Sequence, residues 1–257
     1  MRKGTLVTVL ATGALLVGAG PAAAAQLLPV GVWGFNEGAG TVAHDTSLPP
    51  QHNNGTVSGG AAWLKGRFWD ALSFNGAASA VTVQNDSVLE PQQVTVSAWV
   101  KASSSPGNFM YIVAKGGNNC SASSYGLYTG ANGGLEFYTS SNDGLTFTLS
   151  PDAGTGVWDG NWHSAIGTFD GSTVRLYIDG KQVGTGTPDT SPIAYGLPTS
   201  NDLMIGNYPA CPSIPEGFTG SIDEVKVFNR ALPAQEIRLA VLASNYLPPA
   251  IPTDAVL

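Results

Sequence analysis

Val94-Thr95-Val96-Ser97-Ala98-Trp99-Val100-Lys101 is the stretch that decides the fold class. Apolar side chains occupy every second position from Val94 to Val100, and the positions between them are polar or, at Trp99, aromatic. Successive side chains of a β-strand point to opposite faces, so this period of two predicts a strand with one buried face. For Trp99, on the other face, a packed position and an exposed one on the concave surface of a sheet both stay open.

The same alternation recurs along the chain. Residues 145–149 and 173–179 alternate in this way, and Asp179-Gly180 then predicts a tight hairpin into residues 181–183. Clusters of Gly, Asn, Pro or Ser separate the other segments that have the composition of strands. These further strands are expected in residues 32–35, 72–74, 80–83, 111–114, 135–138, 162–169, 203–205 and 218–228.

Only one helix is expected, from Pro233 to Leu242. Pro233 suits a first helical turn, and apolar residues follow it at Ile237 and Val241. Strands therefore dominate, and residues that favour turns separate them. We predict an all-β fold, in which two antiparallel sheets form one sandwich with a short C-terminal helix.

The N-terminus has the three parts of a secretory signal peptide. Residues 1–3 are basic, residues 6–19 are apolar, and Ala23-Ala24-Ala25 matches the A-x-A pattern that signal peptidase cleaves. The apolar run is too short to span a membrane, which disfavours the alternative of an uncleaved anchor. We predict a secreted protein with no membrane insertion.

The predicted organisation has three parts: a signal peptide in residues 1–25, a single β domain in residues 26–242, and a proline-rich tail in residues 243–257. Without Arg2 and Lys3, the chain has nine Lys and Arg against 18 Asp and Glu, a net charge of −9. Nucleic acids and anionic membranes bind clustered Lys and Arg, so neither is an expected partner. Scarce charge together with 33 glycines is typical of an extracellular β-sandwich.

Four segments resemble the LamG-like jelly-roll domains of the concanavalin A-like lectin/glucanase superfamily. They are WGFNEG at residues 33–38 with Asp45-Thr46-Ser47 after it, WDGNWH at 158–163, TFDGSTVRLYIDG at 168–180, and FTGSIDEVKVFNRAL at 218–232. The resemblance implies two curved antiparallel sheets in a jelly roll, which agrees with the strands expected from alternation. The superfamily contains lectins, adhesion modules and glycosidases, so the resemblance alone does not give the function.

The two cysteines of the chain, Cys120 and Cys211, are predicted to form a disulfide. Two cysteines in a secreted protein pair by default, because the compartment is oxidising. The bond would close a loop of about 90 residues, which is worth roughly 4 kcal/mol in the chain-entropy model. It would also hold two long loops together at one end of the sandwich, where ligand sites commonly lie.

Asp45 and Asp223 are the predicted metal ligands. On the predicted strand, Asp223 shares a face with the valines at 225 and 227, and a carboxylate that faces an apolar layer needs a cation or hydrogen-bond donors. The resemblance implies a structural Ca²⁺ between the opening segment and this strand, with Asp45 and Asp223 as the matching carboxylates. The chain departs from the family after Ser47, where Leu-Pro-Pro stands in place of Gly. The alternative is that loop N–H groups satisfy Asp223.

A catalytic carboxylate pair is not found. Retaining glucanases of this superfamily carry two carboxylates on one face of a single strand. Glu136 has no acidic partner at the same-face positions that follow it, and Asp223 and Glu224 are adjacent, so on a strand they point to opposite faces. We therefore predict that the chain is not an enzyme. The alternative, a glycoside hydrolase whose carboxylates come from different strands, stays open.

Aromatic and amide side chains near the two cysteines are the predicted ligand contacts. Sugars present apolar C–H faces and hydroxyls, which tyrosine rings and amides bind. The predicted contacts are Asn118, Tyr125, Tyr138 and Tyr208, with Tyr128 close to them in sequence. The alternative is that these tyrosines only pack in the core or in loops. We predict a secreted, non-catalytic, lectin-like module that binds carbohydrate or another extracellular glycoconjugate, or that mediates adhesion.

Overall fold

The computed structural model describes residues 28–48, 53–121, 123–208, 210 and 216–246. The predicted signal peptide, Cys211 and the predicted tail after Tyr246 lie outside these residues. In the described part of the chain, no helix has both the length and the hydrophobicity that a membrane crossing requires.

Strands form most of the regular structure, and one α-helix follows them. In chain order the elements are β1 (Gly31–Trp33), β2 (Val42–Ala43), β3 (Gly55–Ser58), β4 (Ala62–Lys65), β5 (Asp70–Asn75), β6 (Ala80–Val83), β7 (Val94–Lys101), β8 (Tyr111–Gly117), β9 (Tyr125–Thr129), β10 (Leu135–Ser141), β11 (Thr146–Leu149), β12 (His163–Phe169), β13 (Thr173–Ile178), β14 (Lys181–Gln182), β15 (Thr187–Pro188), β16 (Ser200–Ile205), β17 (Thr219–Phe228) and α1 (Ala234–Tyr246).

The strands are arranged in two antiparallel sheets. Sheet A has the spatial order β14-β13-β12-β7-β17-β5-β4, with β1 also paired to β17 and β15 to β13. Sheet B has the order β11-β10-β9-β8-β16-β6-β3-β2. Several neighbouring strands are far apart in sequence, as in the pairs β7–β17 and β8–β16. The predicted all-β, two-sheet antiparallel jelly-roll sandwich is confirmed.

The core lies between the two sheets. The prediction of one buried face in β7 is confirmed. The residues of that face are fully buried in the core: Val94, Val96, Ala98 and Val100. The sheets are in close contact at Gly167 of β12, where a Cβ atom would lie 2.1 Å from Cγ of Phe137. Glycine is needed at this position because the Phe137 ring occupies the space of a side chain.

The predicted hairpin at Asp179-Gly180 is confirmed. It connects β13 to β14, and both turn residues have positive φ, 51° at Asp179 and 78° at Gly180. Two successive positive φ values match the twist of a two-residue β-hairpin, and Asp-Gly is a favoured pair for this conformation.

Helix α1 covers part of the outer face of sheet A. Its side chains Ile237 and Val241 pack with Ile166 and Tyr177 of that sheet in a small apolar cluster separate from the main core. The helix continues to Tyr246, four residues beyond the end expected at Leu242. Its remaining face is exposed to solvent.

A β-bulge in β17 overturns one prediction about Asp223. Asp223 pairs with Trp99 on the outer face of sheet A, but the register then shifts, and Val227 pairs with the core residue Val96. Glu224, with a φ of 50°, is part of the extra segment. The prediction that Asp223 shares a face with Val225 and Val227 is therefore wrong, because the bulge changes the face on which the following residues lie.

Candidate functional site

The outer face of sheet B carries a second apolar cluster made mainly of tyrosines. Alternation produces it: Leu127 and Phe137 point into the core, whereas their neighbours Tyr128 and Tyr138 point outward. The members of this cluster are Tyr111, Ala114, Tyr128, Tyr138, Tyr208 and Ala210, with Leu149 against it. The cluster forms the floor of a cavity at the edge of the sheet.

We call this cavity of about 190 Å³ the tyrosine cleft. Its walls are Phe109, Tyr111, Cys120, Ser121, Tyr128, Tyr138, Phe147 and Glu216. The tyrosines are almost completely buried, whereas Phe109 and Phe147 are 47% and 46% exposed. The cleft therefore has a tyrosine floor and a rim of two phenylalanine rings that solvent reaches.

The tyrosine rings are in direct contact with one another. The ring centroids of Tyr111 and Tyr208 are 4.7 Å apart in a stacked arrangement, and those of Tyr128 and Tyr138 are 4.9 Å apart, edge to face. Both geometries are favourable for aromatic pairs. Gly126 makes room for the Tyr138 ring, because a Cβ atom there would lie 2.6 Å from Cε1 of Tyr138.

Hydrogen bonds fix the hydroxyl groups of the floor. The Tyr138 hydroxyl accepts a hydrogen bond from the Ser123 backbone N–H at 2.8 Å and lies 2.9 Å from the Tyr111 hydroxyl. The Asn118 backbone N–H donates to the Tyr208 hydroxyl at 3.1 Å. Burial raises the pKa of Tyr111, Tyr138 and Tyr208, so these groups are neutral at physiological pH.

Two carboxyl groups lie at or next to the cleft. Burial raises the pKa of Glu216 to about 7, and its Oε2 atom is buried without a hydrogen-bond partner in the described residues. Burial and the charge of Asp152 raise the pKa of Glu136, whose Oε2 accepts a hydrogen bond from the Tyr128 hydroxyl at 3.3 Å. Glu216 can thus exist as a neutral acid or as a carboxylate near pH 7.

The structure brings three of the four predicted ligand contacts to this region. Tyr138 and Tyr208 belong to the floor, and Asn118 lies beside it, with its side-chain Nδ2 donating to the Asp143 carbonyl at 2.7 Å. Tyr125 does not lie there, because it points into the main core and donates its hydroxyl to the Leu89 carbonyl at 3.0 Å. Whether any of these residues contacts a ligand stays a prediction.

The sequence did not indicate five residues of the cleft, namely Phe109, Tyr111, Ser121, Phe147 and Glu216. Tyr111 was recognised only as the start of a strand, and Phe147 only as part of an alternating stretch. Glu216 gave no signal, since it lies in a Pro-rich segment outside any predicted strand. The alternation of β10 would have supplied one clue, because it places Glu136 and Tyr138 on the same outward face as Tyr128.

Cys120 lies in the wall of the cleft. Its backbone N–H donates to the Ala210 carbonyl at 3.2 Å, and the described chain contains no free cysteine. Ala210 directly precedes Cys211 in sequence. Because Cys211 lies outside the described residues, the Cys120–Cys211 pairing stays a prediction.

Asp45 is held by backbone donors. Its Oδ1 atom accepts hydrogen bonds from the N–H groups of Val32 at 2.9 Å and Ser47 at 3.0 Å, and its Oδ2 atom accepts one from Asn53 at 3.2 Å. Three amide donors therefore compensate this buried carboxylate without a cation.

Asp223 is less completely satisfied than Asp45. Its Oδ2 atom accepts a hydrogen bond from the Phe68 N–H at 3.0 Å, whereas Oδ1 is buried without a partner in the described residues. Burial raises the pKa of Asp223 to about 8, and the charge of Glu224 contributes in the same direction. Among the described residues, no three His, Cys, Asp or Glu side chains converge as a metal site would require. The predicted Ca²⁺ stays a prediction.

A match to a protein-family model identifies the superfamily of this chain. A family model described as the concanavalin A-like lectin/glucanases superfamily matches residues 74–238, which is more than half of the chain. The chain belongs to this superfamily. A search of the curated proteins found no match.

Solved structures of the superfamily fold are similar to this chain at low sequence identity. Domain 4 of AbnA, an extracellular GH43 arabinanase from Geobacillus stearothermophilus solved with arabinotriose, has a TM-score of 0.60 and 18% identity, with 83% of this chain and 98% of that one covered. A Trypanosoma rangeli sialidase has a TM-score of 0.61 and 18% identity, with 85% and 33% covered.

A third similar structure concerns botulinum neurotoxin type C, whose cell entry depends on interaction with two ganglioside molecules. It has a TM-score of 0.61 and 15% identity, with 88% of this chain and 53% of that one covered. This chain therefore spans about a third of the sialidase chain and about half of the neurotoxin chain. At these identities the matches establish the fold.

The prediction that the chain is not an enzyme is corrected by these matches. It depended on the absence of one glucanase strand motif, and the same fold occurs in an arabinanase and in a sialidase. A chain of the superfamily that lacks the strand motif is therefore not excluded from catalysis.

Proposed function

We propose that this protein is a secreted carbohydrate-binding protein and that the tyrosine cleft is its binding site. The family, the similar arabinanase domain in complex with arabinotriose, and the aromatic cleft beside Cys120 support this proposal. Aromatic rings offer apolar faces to sugar C–H groups, and fixed hydroxyls select the orientation of a ligand.

The main support for the proposal is the unpaired, buried oxygen of the Glu216 carboxyl group. A buried polar atom without a partner destabilises a protein, unless a ligand supplies the missing hydrogen bond. Oε2 of Glu216 is such an atom in a wall of the cleft. A sugar hydroxyl fits it because a hydroxyl both donates and accepts hydrogen bonds, and so matches either protonation state of the carboxyl group.

The size and charge of the cleft limit the class of ligand that can bind there. Its volume of about 190 Å³ is below the range of about 300–1,000 Å³ usual for drug-sized ligands, so one sugar ring at the end of a glycan is the expected occupant. Among the residues that the structure describes, the wall contains the carboxyl group of Glu216 and no Lys or Arg. We therefore expect a neutral terminal sugar.

A glycan array followed by titration calorimetry tests the proposal. Phe147→Ala removes an exposed ring of the rim, and Glu216→Gln keeps the shape but removes the acid. We expect each variant to weaken binding of an array hit at least ~10-fold, which corresponds to ~1.4 kcal/mol. Leu145→Ala, which removes a 62% exposed side chain outside the cleft, is the matched control. Retention of no glycan, or equal losses in the control, would contradict the proposal.

A glycoside hydrolase is the second candidate, and the raised pKa of Glu216 favours it. A carboxyl group that is half protonated near pH 7 can act as a general acid, and Glu136 of β10 supplies a second carboxyl group. Release of reducing ends from a bound oligosaccharide, lost in Glu216→Gln while binding persists, would support hydrolysis. Binding without release in the wild-type protein would favour the first candidate.

We also propose a structural Ca²⁺ ligated by Asp223, with Asp45 as its predicted partner. The buried, unpartnered Oδ1 atom of Asp223 fits a cation, since oxygen is the ligand that Ca²⁺ prefers. The three amide donors on Asp45 fit a cation less well. A ligand that binds only the folded state raises the melting temperature. We expect Ca²⁺ to raise it relative to EDTA in the wild-type protein and not in Asp223→Asn, and equal shifts would refute the site.

A further inference from the structure

A second cavity, of about 650 Å³, lies on the outer face of sheet A beside helix α1. It is thus on the opposite side of the sandwich from the tyrosine cleft. We call it the cationic pocket and define it by Arg67, Trp99, Trp162, Asp179, Lys181 and Arg238 in its walls. None of these residues contributes to the carbohydrate site proposed above.

The charge of this pocket is opposite to that of the whole protein. The chain has a formal net charge of −7, yet the wall contains Arg67, Lys181 and Arg238 and a single carboxylate, Asp179. These three cations come from separate elements: the β4–β5 connection, the start of β14 and the middle of α1. The fold therefore gathers scarce positive charges at one place.

The cations of the pocket are not neutralised by ion pairs. Within the described ranges, no carboxylate oxygen lies within 4.0 Å of the charged nitrogens of Arg67, Lys181 or Arg238. The Asp179 carboxylate is engaged elsewhere: its Oδ2 atom is 2.8 Å from Nδ1 of His163, and its Oδ1 atom accepts a hydrogen bond from the Ser164 N–H at 2.9 Å. The pocket therefore favours an anion.

Arg67 is held in place for binding. Its guanidinium group lies 4.8 Å from the ring centroid of Trp99 and 4.9 Å from that of Phe68, and Nη2 donates to Oδ1 of Asn245 at 2.9 Å. A guanidinium group has five N–H donors, so most of them stay available for an oxyanion. Contact with Trp99 restricts the side chain before any ligand arrives, which lowers the entropy lost on binding.

The pocket also offers apolar surfaces for the body of a ligand. Trp162 is partly exposed in the wall, and Val241 and Leu242 of α1 contribute aliphatic surface. Indole rings pack against the C–H face of a sugar or another flat ring, while the cations bind its charged substituent. The volume is sufficient for two or three linked rings.

We propose that the cationic pocket is a second binding site, specific for an acidic saccharide, that is, a sugar ring with a carboxylate or sulfate substituent. The oxyanion binds Arg67, Lys181 and Arg238, and a ring packs on the partly exposed Trp162. The site binds independently of the tyrosine cleft, which takes a neutral terminal sugar. One protein would then join two chemically different glycans from opposite faces of the sandwich.

Titration with three probes of equal length tests the proposal: a trigalacturonide, a sulfated galactotriose and neutral galactotriose. Calorimetry gives the affinity, and a ligand-induced change in tryptophan fluorescence that is lost in Trp162→Phe reports on Trp162 among the six tryptophans of the chain. We expect at least one acidic probe to bind at least ~10-fold more tightly than the neutral one and to weaken as NaCl concentration rises, because ion pairing is screened. The carboxylated and sulfated probes identify the preferred oxyanion. Failure of both acidic probes to bind, or equal binding of the neutral probe, would overturn the proposal.

Substitutions of pocket residues test whether the acidic probe binds in the cationic pocket. Lys181 and Arg238 are exposed, so Lys181→Ala and Arg238→Ala should leave the fold intact. We expect the double variant to bind the acidic probe at least ~10-fold more weakly. Lys101→Ala, on β7 outside the pocket and equally exposed, is the matched control for lost charge. Phe147→Ala changes the tyrosine cleft and should not change this affinity. The test of the cationic pocket can therefore succeed or fail independently of the test of the tyrosine cleft. Equal losses in Lys101→Ala and Lys181→Ala would overturn the proposal.

Discussion

The outer faces of the two sheets are built by the same strand alternation, yet they present opposite chemistry. On sheet B the outward positions carry tyrosines, and loops add Glu216 to form a small cleft with a carboxyl group. On sheet A the outward position at Trp99 is bordered by a helix, a hairpin and a connection that each supply one cation. The strands thus supply aromatic platforms, and the connecting elements determine the charge of each site.

The largest expected effect is a loss of stability of the whole sandwich, because both outer faces depend on the core that the two sheets share. Gly167→Ala places a Cβ atom 2.1 Å from the Phe137 ring, and overpacking of this kind costs ~3 kcal/mol. Gly156→Ala is the matched control, since nothing lies within 4 Å of its Cβ position. Urea denaturation measures both variants. Equal stability of the two would show that the sheets are not in close contact at Gly167.

The second prediction concerns the tyrosine floor alone. Tyr138→Phe removes the hydroxyl that accepts the Ser123 N–H, and leaving a buried donor unpaired costs ~2 kcal/mol. Tyr177→Phe, on the outer face of sheet A, removes a hydroxyl bonded to the exposed side chain of Gln182 and should cost less than ~0.5 kcal/mol. Urea denaturation measures the free energy of unfolding of both variants. A loss of stability in Tyr177→Phe as large as that in Tyr138→Phe would show that the hydroxyl groups of the two faces do not differ in this way.

The third prediction uses the pH dependence of stability. Burial raises the pKa of Glu216 from 4.5 to about 7, so the folded state favours the protonated form. The resulting stabilisation is complete below pH ~4.5 and is lost as pH rises through ~7. Because Glu216 is only partly buried, we expect a loss of ~1–2 kcal/mol from this group rather than the full value of the pKa shift.

Urea denaturation in EDTA between pH 4 and 8 measures this loss. Asp223, whose pKa is raised to about 8, adds a slope of the same sign, so Glu216→Gln should reduce the slope without abolishing it. An identical slope in the variant, or stability that rises over this range in the wild-type protein, would show that Glu216 is not buried as described.

The smallest expected effect is the coupling between the two faces. Phe147→Ala and Arg238→Ala change the cleft and the pocket on opposite sides of the sandwich, and distant sites without shared partners are additive within ~0.5 kcal/mol. A double-mutant cycle on stability, repeated for each ligand, measures the coupling. A coupling above ~1 kcal/mol would mean that the two sites are not independent.

Much of the fold was predictable because the signals are local. The alternation from Val94 to Val100 and the Asp179-Gly180 turn depend on neighbouring residues only, and both predictions are confirmed. The bulge at Glu224 was not predictable, because the residues next to Glu224 include no Gly, Asn or Pro that would mark a positive φ, and the pairing with β7 positions the bulge.

The candidate site was predictable only in part for the same reason. Tyr138 and Tyr208 were identified from residue type and from closeness to the cysteines, but alternation in β9 puts Tyr125 in the core and Tyr128 outside. Glu216 and Arg67 lie in connections whose positions depend on contacts between residues far apart in sequence. No periodic pattern reports such contacts.

The bulge in β17 also determines how this strand tolerates length changes. Before the bulge the even-numbered Ile222 faces the core, and after it the odd-numbered Val225 and Val227 do so. Deleting one residue at Glu224 would restore regular pairing, because Val225 alone would then lie opposite Ala98, with Lys226 still facing outward and Val227 still facing the core. A single-codon deletion at Glu224 should therefore be far less damaging than one at Lys226, which would place Val227 opposite Ser97 on the outer face of sheet A.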